Sequence, residues 1–189
     1  TAWAFAKMAM WHGPLFAAID AAARARKLSP QDLTSLAWAC AALLLQDSPL
    51  LTFLAETSGS AVWEFGPQHL SLSAWSFALL ALRHEPLLDA IACQAMQKMA
   101  EFGAAAGSFE DVGPCQDLAL MAWAFASLAV CNHPLLAALS GASRSKIKQF
   151  NPQNLSNTAW AWATLLVQDL PLLSAISQQA VETVAEFDA

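Results

Sequence analysis

"FNPQNLSNTAWAWATLL", residues 150–166, follows the same pattern as "FGPQHLSLSAWSFALL", residues 65–80. In both stretches a Phe comes two residues before a Pro-Gln pair, and an Ala-Trp pair follows with its tryptophan eight residues after the proline. Two stretches that keep the same residue types at the same offsets indicate an internal repeat. The repeat, rather than any single segment, therefore predicts the fold.

The tryptophan of the Ala-Trp pair marks five repeats along the chain. Successive marker tryptophans are separated by 35, 37, 48 and 37 residues, and a proline lies eleven residues after each of them. The markers are Trp3, Trp38, Trp75, Trp123 and Trp160. This spacing predicts units of roughly 37 residues, with an insertion loop of Gly, Ala, Ser and acidic residues at 103–113. The five units span 1–28, 29–65, 66–102, 114–150 and 151–187.

Each unit carries the start signals of two helices. Proline is tolerated in the first turn of a helix, where its missing N–H would have no partner, and Ser29 before Pro30 provides a capping side chain. We therefore predict a first helix, helix A, from about Pro30 to Leu45, and a second, helix B, from near Pro49. A polar residue suited to an Asx-type cap precedes each helix B. These residues are His12, Asp47, His84, Asn132 and Asp169.

Helix A is apolar nearly all round after its first turn, as in LAWACAALLL at residues 36–45. A helix of this kind must be covered on several sides, and neighbouring units can supply that cover. The sequence therefore predicts an all-α fold: one α-solenoid of about five helix-turn-helix repeats over residues 1–189. In this interpretation Trp160 and Trp162 are core residues rather than a pigment-binding or base-stacking site.

The first residues of the chain align with the middle of a repeat. Thr1, Ala2 and Trp3 match Thr158, Ala159 and Trp160, which places residue 1 inside a helix A. Terminal repeats of solenoids normally carry a polar outer face. We therefore expect either a longer array or a partner that covers the open end.

Several classes of protein are disfavoured by the composition. The longest nearly uncharged apolar run, residues 118–131, is shorter than the roughly 20 residues that cross a bilayer, so we expect no transmembrane segment. The cysteines form no C-x-x-C pair and have no His at ligand spacing, so we expect reduced thiols and no metal. No Ser-His-Asp set, H-E-x-x-H or Gly-rich phosphate loop occurs, and we expect no catalytic residue, no cofactor and no enzyme activity.

The repeat motif resembles that of the octotricopeptide repeats, helix pairs with a PQ-x-L-[AS]-N-x-x-W-A signature found in algal and protist organelles. It is also similar to the helical repeats found beside RAP domains. The stretches 65–80 and 150–166 carry the resemblance, which extends over nearly the whole chain. It implies an organellar protein, with a chloroplast favoured over a mitochondrion. It also implies that the protein binds single-stranded RNA and reads bases through polar residues of helix A.

Transferred onto this sequence, the resemblance gives a candidate ligand-reading face in the first turns of helix A. Its residues are Gln31, Asp32, Ser35, Gln68, His69, Gln116, Asp117, Gln153, Asn154 and Asn157. Leu72 and Leu120 occupy the positions equivalent to Ser35 and cannot take part in a hydrogen-bond code. The alternative interpretation is that these polar side chains only satisfy the free N–H groups of a helix start.

The charges argue against RNA. The chain has 9 Lys and Arg against 15 Asp and Glu, a net charge of −6, which disfavours attraction to a phosphate backbone. The only full charges on the predicted A helices are Lys7, Asp32 and Asp117. Two candidate basic patches could contact phosphates, although cations at helix C-termini also complement the helix dipole in solvent. They consist of Arg24, Arg26 and Lys27, and of Arg144, Lys146 and Lys148.

Two functional hypotheses follow. In the first, the solenoid is a non-enzymatic scaffold that docks onto protein partners of a large organellar assembly such as a photosystem, a respiratory complex or a ribosome. In the second, it is an organellar RNA-binding protein that acts in RNA maturation, stability or translation. The charge favours the first hypothesis and the resemblance favours the second.

Overall fold

A computed structural model describes residues 2–10, 12–46, 49–102 and 115–187, and every regular element in these ranges is helical. Two features expected from the sequence, the insertion loop 103–113 and the cap at Asp47, lie outside the described residues. The α-helices are α1 (Ala2–Lys7), α2 (Gly13–Arg24), α3 (Pro30–Ala42), α4 (Pro49–Ala61), α5 (Pro67–Leu79), α6 (Glu85–Gln97), α7 (Gln116–Ser127), α8 (His133–Ser145), α9 (Pro152–Thr164) and α10 (Leu170–Phe187). Short 3-10 turns follow three of the B helices, at Val62–Glu64, Met99–Glu101 and Ile147–Gln149.

The helices form two layers. The odd-numbered A helices pack in chain order from α1 to α9, and the B helices from α4 to α10 pack in the same order beside them. The A layer has the closer packing, since consecutive A helices make the most extensive contacts in the described structure. This arrangement of stacked helix pairs is an α-solenoid, and the predicted fold class is confirmed.

Small residues explain the close approach of the A helices. The residue directly after each marker tryptophan is fully buried in units two to five, where it is Ala39, Ser76, Ala124 or Ala161. Ala39 clusters with Ala2 and Ala6 of α1, so this position contacts the preceding unit. A large side chain here would force the helices apart, because protein interiors are packed to near-crystalline density.

The polar residues ahead of the B helices act as caps, as predicted. The ring Nδ1 of His12 accepts a hydrogen bond from the N–H of Leu15 at 3.1 Å. His84 caps α6 in the same way at 3.2 Å. Side-chain oxygens of Asn132 and Asp169 each accept from a backbone N–H three residues later at 3.0 Å. Each cap satisfies an N–H group that has no partner within its own helix.

The A helices end earlier than the sequence indicated. Helix α3 stops at Ala42 rather than Leu45, because Leu44 adopts a left-handed conformation with φ of 53°. The N–H of Leu45 then bonds to the carbonyl oxygen of Cys40 at 3.0 Å, which is the hydrogen bond of a Schellman motif. Every unit repeats this ending, with the left-handed residue six positions after its marker tryptophan. These residues are Ala9, Leu44, Ala81, Ala129 and Leu166.

The last unit exposes a surface that the inner units bury. Ala163 is exposed, whereas its equivalents Ala41, Ala78 and Ala126 are buried against the following unit. Helix α10 borders an open groove of about 640 Å³, lined by Leu170, Leu173, Ser174, Ser177, Gln178, Val181 and Glu182. Three of these lining residues are apolar and four are polar. A longer array, expected from the sequence, remains a prediction.

The left-handed helix ends make one prediction about stability. An Ala129→Gly substitution should raise the free energy of unfolding by about 0.5–1 kcal/mol, because glycine adopts positive φ without the steric cost that Cβ imposes. The matched control is Ala137→Gly, an exposed alanine inside α8, which should lower the free energy of unfolding by about 1 kcal/mol. Urea titrations followed by circular dichroism measure both changes. Destabilisation by both substitutions would contradict the assignment of the helix end.

Candidate functional site

The A helices share one face that is more accessible than the sides packed against the B layer and the neighbouring units. On α3 it consists of Gln31, Ser35, Trp38 and Ala42, which follow one another at spacings of three or four residues and so share one side of the helix. We call these positions in all units the open A face. Its other members are Gln68, Leu72, Trp75 and Leu79; Gln116, Leu120, Trp123 and Ser127; Gln153, Asn157, Trp160 and Thr164; and Trp3 and Lys7 from unit one. Leu120 is the most buried of them, at 8% exposed.

The candidate reading residues therefore divide into two sets. The glutamines and the series Ser35, Leu72, Leu120 and Asn157 belong to the open A face. The series Asp32, His69, Asp117 and Asn154 instead points toward the preceding unit or back to its own helix start. Asn154 is only 1% exposed. The two sets point in different directions, because adjacent residues of a helix point about 100° apart, and they meet at Gln31 with His69 and in the groove shared by Asp32 and Ser35.

Two residues of the second set cap their own helices. Asp32 forms a capping box with Ser29: the Ser29 hydroxyl accepts from the N–H of Asp32 at 3.2 Å, while Asp32 accepts from the backbone N–H and the hydroxyl of Ser29. These hydrogen bonds hold the pKa of the Asp32 carboxyl below its usual range. His69 accepts from the N–H of Gly66 through Nδ1 at 3.3 Å. Its Nε2 lies 3.4 Å from Oε1 of Gln31 in the preceding unit.

Asp117 connects two units. Its Oδ1 accepts a hydrogen bond of 2.8 Å from the hydroxyl of Ser71, which lies on the preceding A helix. Burial raises the pKa of the Asp117 carboxyl, and the hydrogen bond from Ser71 acts in the opposite direction. Burial also lowers the pKa of the His69 imidazole, and the positive charge of Lys98 adds to that effect. These polar first-turn residues are thus used in the contacts between units.

The marker tryptophans form a row along the open A face. Trp3 and Trp160 are 38% and 45% exposed, and the three between them are partly buried. The ring centroids of Trp3 and Trp38 are 6.2 Å apart with planes inclined by 34°, and those of Trp123 and Trp160 are 6.0 Å apart at 28°. Nζ of Lys7 lies 5.3 Å from the ring centre of Trp3. The rings therefore present aromatic surface to solvent along the row.

The assignment of Trp160 to the core is wrong, whereas that of Trp162 is confirmed. Trp162 is 1% exposed and fills the core position that Phe77 and Phe125 occupy in other units. Side chains two residues apart on a helix point about 200° apart. A tryptophan in the core and one on the surface can therefore be separated by a single residue. The repeat pattern locates both tryptophans, but the direction of each depends on which helix sides the neighbouring units cover.

Acidic side chains are sparse beside the open A face, where Asp32 shares an open groove with Trp3 and Ser35. Among the described members of that face, Lys7 is the only full charge. Exposed carboxylates lie instead on the B helices, at Glu56, Asp89 and Glu182. The exposed carboxylates of the described B helices therefore contribute to the net charge of −6, and the described open A face does not.

The two basic patches differ in their partners. In the first, Arg24 pairs with Asp20 at 2.8 Å, Arg26 lies 4.0 Å from Asp32, and Lys27 lies 3.3 Å from Glu64. This patch is therefore largely neutralised. In the second, no described acidic residue forms an ion pair with Arg144, Lys146 or Lys148, and Arg144 and Lys148 are exposed. Lys146 lies close enough to the Cys115 thiol to oppose the rise of its pKa on burial, which places this patch beside the start of α7.

Three further expectations from the sequence concern the thiols, metal sites and membrane-spanning helices. All four cysteines are unpaired, and burial raises the pKa of the Cys40 thiol to about 12. No group of three or more metal-ligating side chains occurs in the part of the chain that the structure describes. None of the described helices combines the length and the apolar character needed to cross a membrane.

These observations define the class of the protein as a helical-repeat α-solenoid whose open face is aromatic, amide-bearing and almost uncharged. The chain belongs to the family described as RNA-editing substrate-binding complex 6 protein (RESC6), whose model matches residues 2–189. None of the curated proteins matches the sequence. The family match supports the helical-repeat part of the resemblance and does not extend to the octotricopeptide repeats themselves. It also favours the RNA-related hypothesis over docking onto a photosystem, a respiratory complex or a ribosome.

The contact between Ser71 and Asp117 makes a prediction about pH. A Ser71→Ala substitution should lower the free energy of unfolding by about 1–2 kcal/mol at neutral pH, because a buried carboxylate loses a hydrogen-bond donor. Burial raises the folded-state pKa of Asp117, so the loss should shrink as the pH falls through that pKa and the carboxylate becomes protonated. Urea titrations of both proteins between neutral and acid pH measure this difference.

The matched control is Ser76→Ala in the same helix. Ser76 is also fully buried, but its hydroxyl donates to the backbone oxygen of Leu72 at 2.7 Å. The cost of Ser76→Ala should therefore not vary with pH. Equal pH dependence of the two substitutions would show that Ser71 does not stabilise the ionised Asp117.

Proposed function

We propose that the protein is a non-catalytic helical-repeat subunit of an RNA-editing substrate-binding complex. The observation that carries the proposal is the family match over residues 2–189, which includes all five helix pairs rather than one motif. The solenoid would act as a scaffold in that complex and contribute to holding the RNA that is edited. Protein partners and single-stranded RNA are thus both part of the proposal.

The proposal that the chain is not an enzyme rests on its residues. The sequence has no nucleophile-base motif and no phosphate-binding loop. Three of its four histidines have structural partners: His12 and His84 cap B helices, and His69 joins a helix start to the preceding unit. The remaining His133 lies beside the Cys131 thiol at 3.7 Å on an exposed helix start. These contacts support a scaffold rather than a site of bond chemistry.

The compartment is a further part of the proposal. An organellar location came from the resemblance to organellar repeats, and the family match gives no support to a chloroplast. The proposed location is therefore an organelle, with no preference for a chloroplast.

The proposed function can be tested by capture of the tagged full chain from the source cells after ultraviolet cross-linking. We expect the retained RNA to be enriched in editing substrates over total RNA, since the family is described as part of a complex that binds such substrates. Sequencing of the retained RNA and mass spectrometry of the retained proteins measure the two kinds of partner. A matched capture of an unrelated tagged α-solenoid from the same cells sets the background.

Retention of ribosomal or respiratory proteins without enrichment of edited transcripts would contradict the proposal. That outcome would favour the other hypothesis, in which the protein is a scaffold on another organellar assembly.

A further inference from the structure

Trp38 and Trp123 pack partly against the core, whereas Trp3 and Trp160 at the two ends of the row leave 38% and 45% of their surface exposed. We propose that the open A face is a stacking surface for the unpaired bases of single-stranded RNA, and that it binds RNA with little regard to base sequence. This inference rests on the proposed function and assigns the RNA-contacting surface within it. The residues that would stack bases are Trp3, Trp38, Trp75, Trp123 and Trp160.

The geometry of the row suits a polymer. Consecutive A helices pack side by side, so each unit adds one tryptophan to the same face. The paired rings at both ends of the row lie 6.0–6.2 Å apart between centroids, and Trp3 and Trp160 expose 38% and 45% of their surface. Stacking of bases on aromatic rings is the common way in which proteins hold unpaired nucleic acid, because every base has a π face.

The polar residues of the open A face predict tolerance of base sequence. Units two to five all carry glutamine two helical turns before the tryptophan, at Gln31, Gln68, Gln116 and Gln153. Identical amides offer the same donor and acceptor in every unit, so they cannot specify a different base for each unit. Nε2 of Gln68 is buried without an acceptor among the described residues, so the fold does not use this donor.

The position of Ser35 and its equivalents, which varies between units, also predicts tolerance of base sequence. It holds Ser35 and Asn157 in two units but Leu72 and Leu120 in the others, and a leucine side chain has no donor or acceptor. A hydrogen-bond code with one base per unit therefore cannot operate along the row. Stacking, which is tolerant of sequence, does not need one.

The local electrostatics permit RNA despite the acidic composition. The described open A face carries no carboxylate and one cation, Lys7. Lys98 lies close enough to His69 to lower its pKa, and Lys146 acts in the same way on the Cys115 thiol. The first turns of α3 and α7 also carry the carboxyls of Asp32 and Asp117, which accept hydrogen bonds from Ser29 and Ser71. Phosphates following the bases would also meet the Asp32 carboxyl, which is 4.0 Å from Arg26 and shares a groove with Trp3 and Ser35, so the affinity would come mainly from stacking.

A protein partner is the competing occupant, because exposed tryptophan is also enriched at protein interfaces. Two features favour RNA. The same aromatic and amide pair recurs in every complete unit, which matches a polymer with a repeating backbone better than a single folded surface. In addition, the family is described as part of a complex that binds RNA-editing substrates.

The test compares the full chain with the Trp3→Leu/Trp160→Leu double variant in binding to fluorescein-labelled oligoadenylate and oligouridylate. Leucine keeps an apolar contact on the A helices but removes the π face, and these two rings are the most exposed of the row. We expect the wild type to bind both oligonucleotides within a few-fold of each other, with quenching of tryptophan fluorescence. The double variant should bind about 10- to 100-fold more weakly, since loss of one stacked base costs about tenfold or more.

Two further variants separate stacking from folding. Trp63→Leu is the matched control, because Trp63 is 66% exposed but lies in the 3-10 turn after α4, outside the open A face. It should bind as the wild type does. Trp3→Phe/Trp160→Phe should recover most of the affinity, because phenylalanine also stacks. Thermal unfolding of every variant checks that the solenoid remains folded.

The outcomes distinguish the inference from the proposed function. Equal binding by the wild type and the Trp3→Leu/Trp160→Leu variant, or no binding of either oligonucleotide, overturns the stacking surface. So does strong selection of one base sequence. If the double variant keeps its RNA affinity but loses protein partners in the cellular capture, the open A face is a protein-docking surface. Failure of the proposed function would appear separately, as a lack of edited transcripts in the capture of the wild type.

Discussion

Close contact between consecutive A helices is the constraint on which the rest of this structure depends. It requires a small residue directly after each marker tryptophan, and Ala39, Ser76, Ala124 and Ala161 meet that requirement with no exposed surface. Because the helix backbones approach closely, both flanks of each inner A helix are occupied by its neighbours, and the side opposite the open A face is occupied by helix B. Large side chains remain possible in two directions only: inward, as at Trp162, or outward, as at Trp160.

The same contact determines the use of the polar residues. A helix start has N–H groups without partners, and the first turn of each A helix lies next to the preceding unit. Asp32 and His69 serve their own helix starts, while Asp117 accepts from Ser71 of the neighbouring helix. The side chains that a comparison with RNA-reading repeats would select are therefore used in the solenoid itself. What remains for a ligand is a surface of indoles, glutamines and few charges.

The distribution of charge matters more here than its total. A net charge of −6 would disfavour non-specific attraction to RNA if it were spread evenly, but the described open A face has no carboxylate. Long-range attraction would be weak on such a surface, and affinity would come mainly from stacking at short range. A subunit with this property would hold RNA already brought to a complex rather than recruit it from solution.

By itself the sequence determined the helix pairs, their order and the caps of the B helices, because proline, capping residues and marker tryptophans keep fixed offsets along the chain. It also located both Trp160 and Trp162. Only the tertiary structure decided that the first faces outward and the second inward, that Asn154 is buried, and that Ala and Leu residues adopt positive φ at the ends of the A helices. Each of these depends on which helix sides the neighbouring units cover, and a repeat pattern fixes positions along the chain without fixing the direction in which a side chain points.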